Sequence, residues 1–135
     1  MKLRLALLAA LAVPPAASAA QCGDGLGAAD VRRVEGRGFT LAYRPEPVEL
    51  ETDTLFSLKV VVCGRDGAAP ALVRVDAWMP EHGHGMNYAT VLTSDGAGGW
   101  RVDGLLFHMP GRWELRFDVG TRQRTERVVA GESVE

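Results

Sequence analysis

The apolar residues of this 135-residue chain predict an all-β fold, an immunoglobulin-like antiparallel β-sandwich of about seven strands. Three observations support this prediction. Apolar and polar residues alternate within short segments, as in strands with one buried face. Turn-forming pairs such as Asp-Gly, Gly-Gly and Pro-Gly recur between those segments. Helical periodicity is nearly absent, so an architecture of two packed sheets is favoured.

The chain begins with the features of a secretory signal peptide, which we expect to cover residues 1–20. Two basic residues precede an apolar run at residues 5–13, and small residues follow up to Ala20. The run is too short to span a bilayer as a stable helix. We therefore expect cleavage after Ala19 or Ala20, no membrane insertion after cleavage, and a periplasmic or secreted protein.

Charge and length restrict the class of protein further. The chain has 15 Lys and Arg residues against 17 Asp and Glu residues, and it lacks a basic run, which argues against nucleic acid as a partner. After cleavage, roughly 115 residues remain, enough for one domain with one core. We place a β-sandwich domain at residues 38–130, between an irregular N-terminal segment at 21–37 and a loose tail at 131–135.

The strand predictions follow the alternation along the chain. The clearest strands lie at residues 54–63, 71–79 and 111–119. Their inward faces are predicted to carry Phe56, Leu58, Val60 and Val62; Val73, Val75, Ala77 and Met79; and Trp113, Leu115, Phe117 and Val119. Trp78 falls on the outer face of its strand and is expected to be partly exposed. Weaker patterns predict strands at residues 39–43, 87–93, 100–107 and 124–130.

The two cysteines, Cys22 and Cys63, are predicted to form a disulfide, because an even number of cysteines in an exported protein favours pairing. Closing a loop of that length stabilises a fold by about 4 kcal/mol in the chain-entropy model. The alternative is that both thiols bind metal. We favour the disulfide because neither cysteine is close in sequence to the histidines.

Histidine and methionine are concentrated in two short segments, MPEHGHGM at residues 79–86 and FHMPGRW at residues 107–113. These segments contain every histidine of the chain and every methionine except the first residue. His82 and His84 are two residues apart, so in extended backbone their imidazoles project to the same side, and Met86 continues the row. The strand that precedes His108 can run back beside residues 87–93 and bring this third imidazole close.

Imidazole and thioether together favour copper, because soft sulfur suits Cu(I) and imidazole suits both oxidation states. Zinc sites instead use cysteine, histidine and carboxylate. The predicted metal ligands are His82, His84, Met86, His108 and Met109. The alternative is structural: the histidines hydrogen-bond backbone and close one end of the sandwich, while Met79 fills the core. No Ser-His-acid or Cys-His pattern is convincing, so we expect no enzymatic activity.

The segment DAWMPEHGHGM, followed by GLLFHMPGRWELRFDV, resembles the YtkA-like family of small exported domains, which includes FixH-like proteins. The similar region runs from about Phe39 to Val129. The resemblance implies an immunoglobulin-like sandwich and an accessory role in metal or copper-enzyme systems. A looser similarity is to periplasmic copper chaperones of the PCuAC type, in which a methionine precedes His-x-Met by twenty-one residues. Met86 and His108 have this spacing here, but Met109 follows His108 directly.

The function expected from these features is an exported accessory protein that binds copper through a His/Met site, as a carrier or as an assembly or resistance factor. Its partner would be a copper enzyme or a membrane metal-transport system. The alternative is a structural or protein-interaction β-sandwich module that binds no metal and whose histidines are structural.

Overall fold

The computed structural model describes residues 19–27 and 29–135. Apart from its last two residues, the predicted signal peptide at 1–20 lies outside this range. The described residues form nine strands: β1 Arg32–Gly36, β2 Phe39–Glu46, β3 Leu55–Gly64, β4 Ala71–Met79, β5 His84–Gly85, β6 Val91–Ser94, β7 Gly99–Leu106, β8 Gly111–Gly120 and β9 Thr125–Val134. A short 3-10 helix, Asp24–Leu26, precedes them. No helix in the described part of the chain is long and apolar enough to cross a membrane.

The strands form two antiparallel sheets, which confirms the predicted all-β sandwich. One sheet has five strands in the order β1-β2-β3-β7-β6, and the other has four in the order β5-β4-β8-β9. The core lies between them. The predicted inner faces of β3 and β8 are confirmed, because the alternate apolar residues from Phe56 to Val62 and from Trp113 to Val119 are all buried.

The predicted inner face of β4 is wrong at one residue, Val73. Its side chain is 57% exposed, and Leu72 is buried in its place. The pairing of β4 with β8 shifts between Leu72 and Arg74, as a β-bulge requires. A bulge adds one residue to one strand, so side-chain alternation before it is out of step with alternation after it. Beyond the bulge, Met79 is buried and Trp78 is half-buried, as predicted.

The segment predicted as strand at 87–93 is a strand only from Val91. The preceding residues connect the two sheets along the edge of β4. There the Met86 amide donates to the Ala77 carbonyl at 3.3 Å, and the Thr90 hydroxyl donates to the Val75 carbonyl at 2.7 Å. These isolated hydrogen bonds satisfy part of the edge of β4 without extending the sheet.

The two segments that flank the predicted domain, 21–37 and 131–135, are more regular than predicted. The segment 21–37, predicted to be irregular, contains β1, which pairs with β2. The tail at 131–135, predicted to be loose, is mostly strand, because β9 continues to Val134 and pairs with β8 as far as Gly111. Glu132 and Val134 point inward and are buried. The alternation of β9 therefore continues through a polar-looking sequence.

The predicted disulfide is present between Cys22 and Cys63, with 5.9 Å between the Cα atoms. It joins the segment before β1 to the end of β3. Gly23 allows this close approach, because a Cβ there would lie 2.4 Å from the Ala42 Cβ, and its φ of +87° favours glycine.

Candidate metal centre

The three histidines lie at one end of the sandwich, on two connections. His82 lies in the turn that leaves β4, and His84 begins β5, where it pairs with Met79. His108 lies in the link between β7 and β8, which crosses from the five-stranded sheet to the four-stranded sheet. Histidines separated by more than twenty residues are therefore adjacent because one turn and one crossover meet at the same end.

A tight turn places His82 beside His84. The amides of His82 and Gly83 both donate to the Met79 carbonyl, at 3.3 and 2.9 Å. Gly83 has a φ of +67°, which a side chain would oppose. The backbone is therefore not extended at Gly83, which was the condition for the two imidazoles to project to the same side. The turn nevertheless leaves the two imidazole centres 5.7 Å apart.

The imidazoles form two neighbouring pairs that share His84. His84 is central, with its ring centre 5.1 Å from that of His108 and 5.7 Å from that of His82. Among residues 19–27 and 29–135, no group of three or more His, Cys, Asp or Glu side chains is arranged to hold a metal ion. The described side chains therefore offer pairs of imidazoles that share His84, and a further ligand would have to be a thioether or come from outside.

The spacing of His84 and His108 suits two ligands of one ion. Metal–nitrogen distances of about 2.0–2.1 Å with a tetrahedral angle put two imidazole centres roughly 5 Å apart. The observed 5.1 Å separation agrees with that value, although the rings are nearly parallel, with 29° between their planes. Binding of one ion by both imidazoles therefore requires the rings to reorient from this stacked arrangement.

The ring nitrogens of this pair differ in what they contact. His84 Nδ1 lies 3.2 Å from the Gly85 carbonyl oxygen, so as an N–H it donates there and leaves Nε2 with a free lone pair. His108 Nδ1 is buried and has no hydrogen-bond partner among the described residues. A buried unpaired nitrogen costs free energy, because it has lost its hydrogen bonds to water. Coordination to a metal ion would satisfy it.

Trp113 forms the inner wall of the site. The side chain is fully buried, and its ring meets His108 edge-on at 5.2 Å and His84 edge-on at 5.9 Å. Its indole N–H donates to the Met109 carbonyl at 3.0 Å and so holds the link that carries His108. The sequence predicted Trp113 only as a core residue. The signal for this second role is its position two residues after the HMPG segment, which ends at Gly111.

The methionines divide into one core residue and two candidates. Met79 is fully buried, which agrees with the alternative that it fills the core. Met86, two residues after His84, and Met109, directly after His108, are half-buried and pack against the core. β7 ends at Leu106 and β8 begins at Gly111, so His108 and Met109 lie outside a strand. Their side chains therefore need not point in opposite directions, as those of neighbouring strand residues do.

Both sulfurs of the disulfide are already bonded, so neither cysteine is available as a thiolate ligand.

A buried polar cluster supports the same end of the core and was not predicted. Glu132 Oε1 accepts from the Tyr43 hydroxyl and from Arg32, each at 2.6 Å. Burial, and then the hydrogen bond with Glu132, raise the pKa of Tyr43 well above its ordinary value. Glu132 lies directly opposite Trp113 across the β8–β9 pair. Through Glu132, the cluster is therefore next to Trp113, the residue whose ring contacts His84 and His108.

Comparison of the chain with protein-family models, with curated proteins and with solved structures finds no match. The resemblance to YtkA-like domains stays a prediction, and the case for a function depends on the geometry of the site.

Proposed function

We propose that this protein binds copper as a cargo at the end of the sandwich that carries its histidines. The observation that carries this proposal is the pair His84 and His108, whose ring centres are 5.1 Å apart, with His108 Nδ1 buried and unpaired. The pair supplies two nitrogen ligands and no carboxylate or thiolate. It therefore suits an ion that needs few further ligands.

The residues around the pair favour copper over zinc. Met86 follows His84 by two residues, Met109 follows His108 directly, and both are only half-buried, so their thioethers are candidates for a further ligand. Methionine has three rotatable bonds and adapts readily. Thioether and imidazole together suit Cu(I), whereas zinc favours cysteine, histidine and carboxylate.

The proposed role is that of an exported carrier or accessory protein. The Cys22–Cys63 disulfide fits an oxidising compartment such as the periplasm or the exterior, as does the signal peptide predicted from the sequence. The resemblance to YtkA-like domains supports a role beside a copper enzyme or a membrane metal-transport system, which would be the partner.

One observation favours the structural alternative. The His84 imidazole hydrogen-bonds the Gly85 carbonyl and packs against Trp113, as a histidine that only closes the end of a core would do. In that case the protein is a structural or interaction module, and no metal ion binds tightly.

Thermal unfolding with and without Cu(I) separates these functions. A ligand that binds only the native state stabilises it by about 2.7 kcal/mol at a hundredfold excess over its dissociation constant. We expect Cu(I) to raise the unfolding temperature and Zn(II) to raise it less. His108→Asn should remove most of the Cu(I) effect, whereas Glu81→Gln, an exposed change in the neighbouring turn, should preserve it. A protein that shows no Cu(I)-dependent shift would be the structural module.

A further inference from the structure

We infer that His82 is the entry and exit ligand of the site, which takes up Cu(I) from solution or from a partner and passes it through His84 to His108. The inference rests on the proposed function, because it assigns the route by which the same cargo is exchanged.

The three imidazoles differ in exposure. His82 is exposed, and His84 and His108 are half-buried against Trp113. Successive ring centres are 5.7 and 5.1 Å apart. An ion therefore finds one accessible imidazole and two more protected ones, and each neighbouring pair has a spacing that one ion can bridge.

The turn that carries His82 faces away from the body of the protein. It is closed by two hydrogen bonds to the Met79 carbonyl, and apart from the neighbouring residues His82 and His84 no described residue has an atom within 4 Å of the position that a Gly83 Cβ would occupy. A donor or acceptor molecule can thus approach His82 without displacing a core residue. His108, in contrast, lies on the link between β7 and β8, which is held by the hydrogen bond from the Trp113 indole N–H to the Met109 carbonyl.

The transfer is an exchange of ligands with no change in oxidation state. In the first step a nitrogen of His82 bonds to Cu(I) and a ligand of the incoming carrier leaves. The bond to His84 then forms, and the bond to His82 breaks as the bond to His108 forms. His84 belongs to both pairs, so the ion keeps a protein ligand throughout, and release follows the same steps in reverse.

This route separates the rate of exchange from the affinity at equilibrium. Removing an exchange ligand slows transfer, because a tethered imidazole acts at a millimolar or higher effective concentration. It leaves the final His84–His108 site nearly as strong as before. Removing a resident ligand instead weakens binding by at least the 10- to 100-fold that loss of a supporting residue typically costs.

The experiment compares His82→Asn, His108→Asn and Glu81→Gln in the oxidised, full-length folded protein. Cu(I) is supplied as its complex with a coloured chelator, bathocuproine disulfonate, and absorbance gives both the equilibrium partition and, by stopped flow, the transfer rate. We expect His82→Asn to slow transfer about tenfold or more with a change in affinity below about threefold. Glu81→Gln should leave both quantities unchanged, and His108→Asn should lower the affinity.

Three results would overturn the inference. Unchanged transfer in His82→Asn would show that His82 takes no part in exchange, and an affinity loss equal to that of His108→Asn would make it a resident ligand. In both cases copper binding itself stands. If the unaltered protein neither takes Cu(I) from the chelator nor shows a Cu(I)-dependent shift in unfolding temperature, both the proposed function and this inference are wrong. His82 is exposed, so its variant should fold, and the unfolding temperature without metal checks this.

Discussion

At the scale of single residues, Trp113 has two tasks that can be separated. Its ring fills the core and meets both His84 and His108, and its N–H holds the Met109 carbonyl. Trp113→Ala should lower the free energy of unfolding by about 3–5 kcal/mol, the range for deleting a large buried aromatic side chain. Urea unfolding measures this loss. Arg112→Ala, an exposed neighbour on the same strand, should change stability by less than about 0.5 kcal/mol.

Trp113→Phe is the informative companion, because it retains most of the apolar volume but loses the hydrogen bond to Met109. We expect it to be more stable than Trp113→Ala and yet to bind Cu(I) more weakly than the unaltered protein. Equal losses of stability in Trp113→Ala and Arg112→Ala would mean that the two faces of β8 had been misassigned.

The raised pKa of Tyr43 predicts that the stability of the protein depends on pH. Burial and Glu132 raise its pKa, so the folded protein keeps the phenol proton above pH 10, where an unfolded tyrosine with the ordinary value of 10.0 loses it. Above that pH the folded state binds more protons than the unfolded state, and the free energy of unfolding falls as pH rises. One such proton contributes a slope of about 1.4 kcal/mol per pH unit.

Tyr43→Phe should therefore flatten the loss of stability between pH 10 and the onset of alkaline unfolding, measured by urea unfolding at several pH values. It should also lower stability at neutral pH, because Glu132 loses a hydrogen-bond donor. Tyr88→Phe is the matched control, since that ring is 55% exposed. A slope that is identical in both variants would contradict the assignment.

At the scale of elements, β9 closes the core beside the histidine site. Its last residues supply Glu132 to Tyr43 and Arg32, and Val134 to the core. Deleting residues 131–135 removes Val134 from the core, and losing the burial of one valine lowers the free energy of unfolding by about 1.5–3 kcal/mol. It also leaves the buried Tyr43 hydroxyl without its acceptor, which costs about 1–3 kcal/mol.

We expect the truncated protein to lose about 2.5–6 kcal/mol in its free energy of unfolding, the sum of those two losses. Deleting only Glu135, which is exposed and follows the strand, should have little effect. Guanidinium unfolding of the two truncated proteins provides the measurement. Equal stabilities would mean that residues 131–134 are the loose tail that their composition suggested.

At the scale of the whole molecule, the disulfide and the histidine site lie at opposite ends of β3. Leu55 at one end pairs with Leu106, two residues before His108, and Cys63 lies near the other end. Eight residues of strand span about 26 Å. Stability and copper binding should therefore depend on different ends of the sandwich.

Replacing both cysteines by serine should lower the free energy of unfolding by about 4 kcal/mol through loop entropy alone. The affinity of the folded variant for Cu(I), measured by chelator competition, should not change. Mass spectrometry of the unaltered protein, without reduction, should detect no alkylatable thiol. Weakened copper binding in a variant that is still folded would contradict the separation of the two ends.

The local pattern was enough to predict the sandwich, the inner faces of β3 and β8, and the disulfide. Alternation with period two is a property of a single strand, so Trp113 and Phe117 could be assigned without knowing what they face. Val73 could not, because the bulge beside it exists only in the pairing of β4 with β8. The same holds for Glu132, whose partners Tyr43 and Arg32 lie about ninety or more residues away in the chain.

The candidate site divides in the same way. The concentration of His82, His84 and His108 with the methionines is visible in the sequence and is the basis of the predicted metal site. Their arrangement as two pairs that share His84, the burial of His108 Nδ1 and the contact with Trp113 depend on a turn and a crossover that meet at one end of two packed sheets. Distances between residues on separate elements follow from how the sheets pack, and packing is a property of the whole chain rather than of any segment.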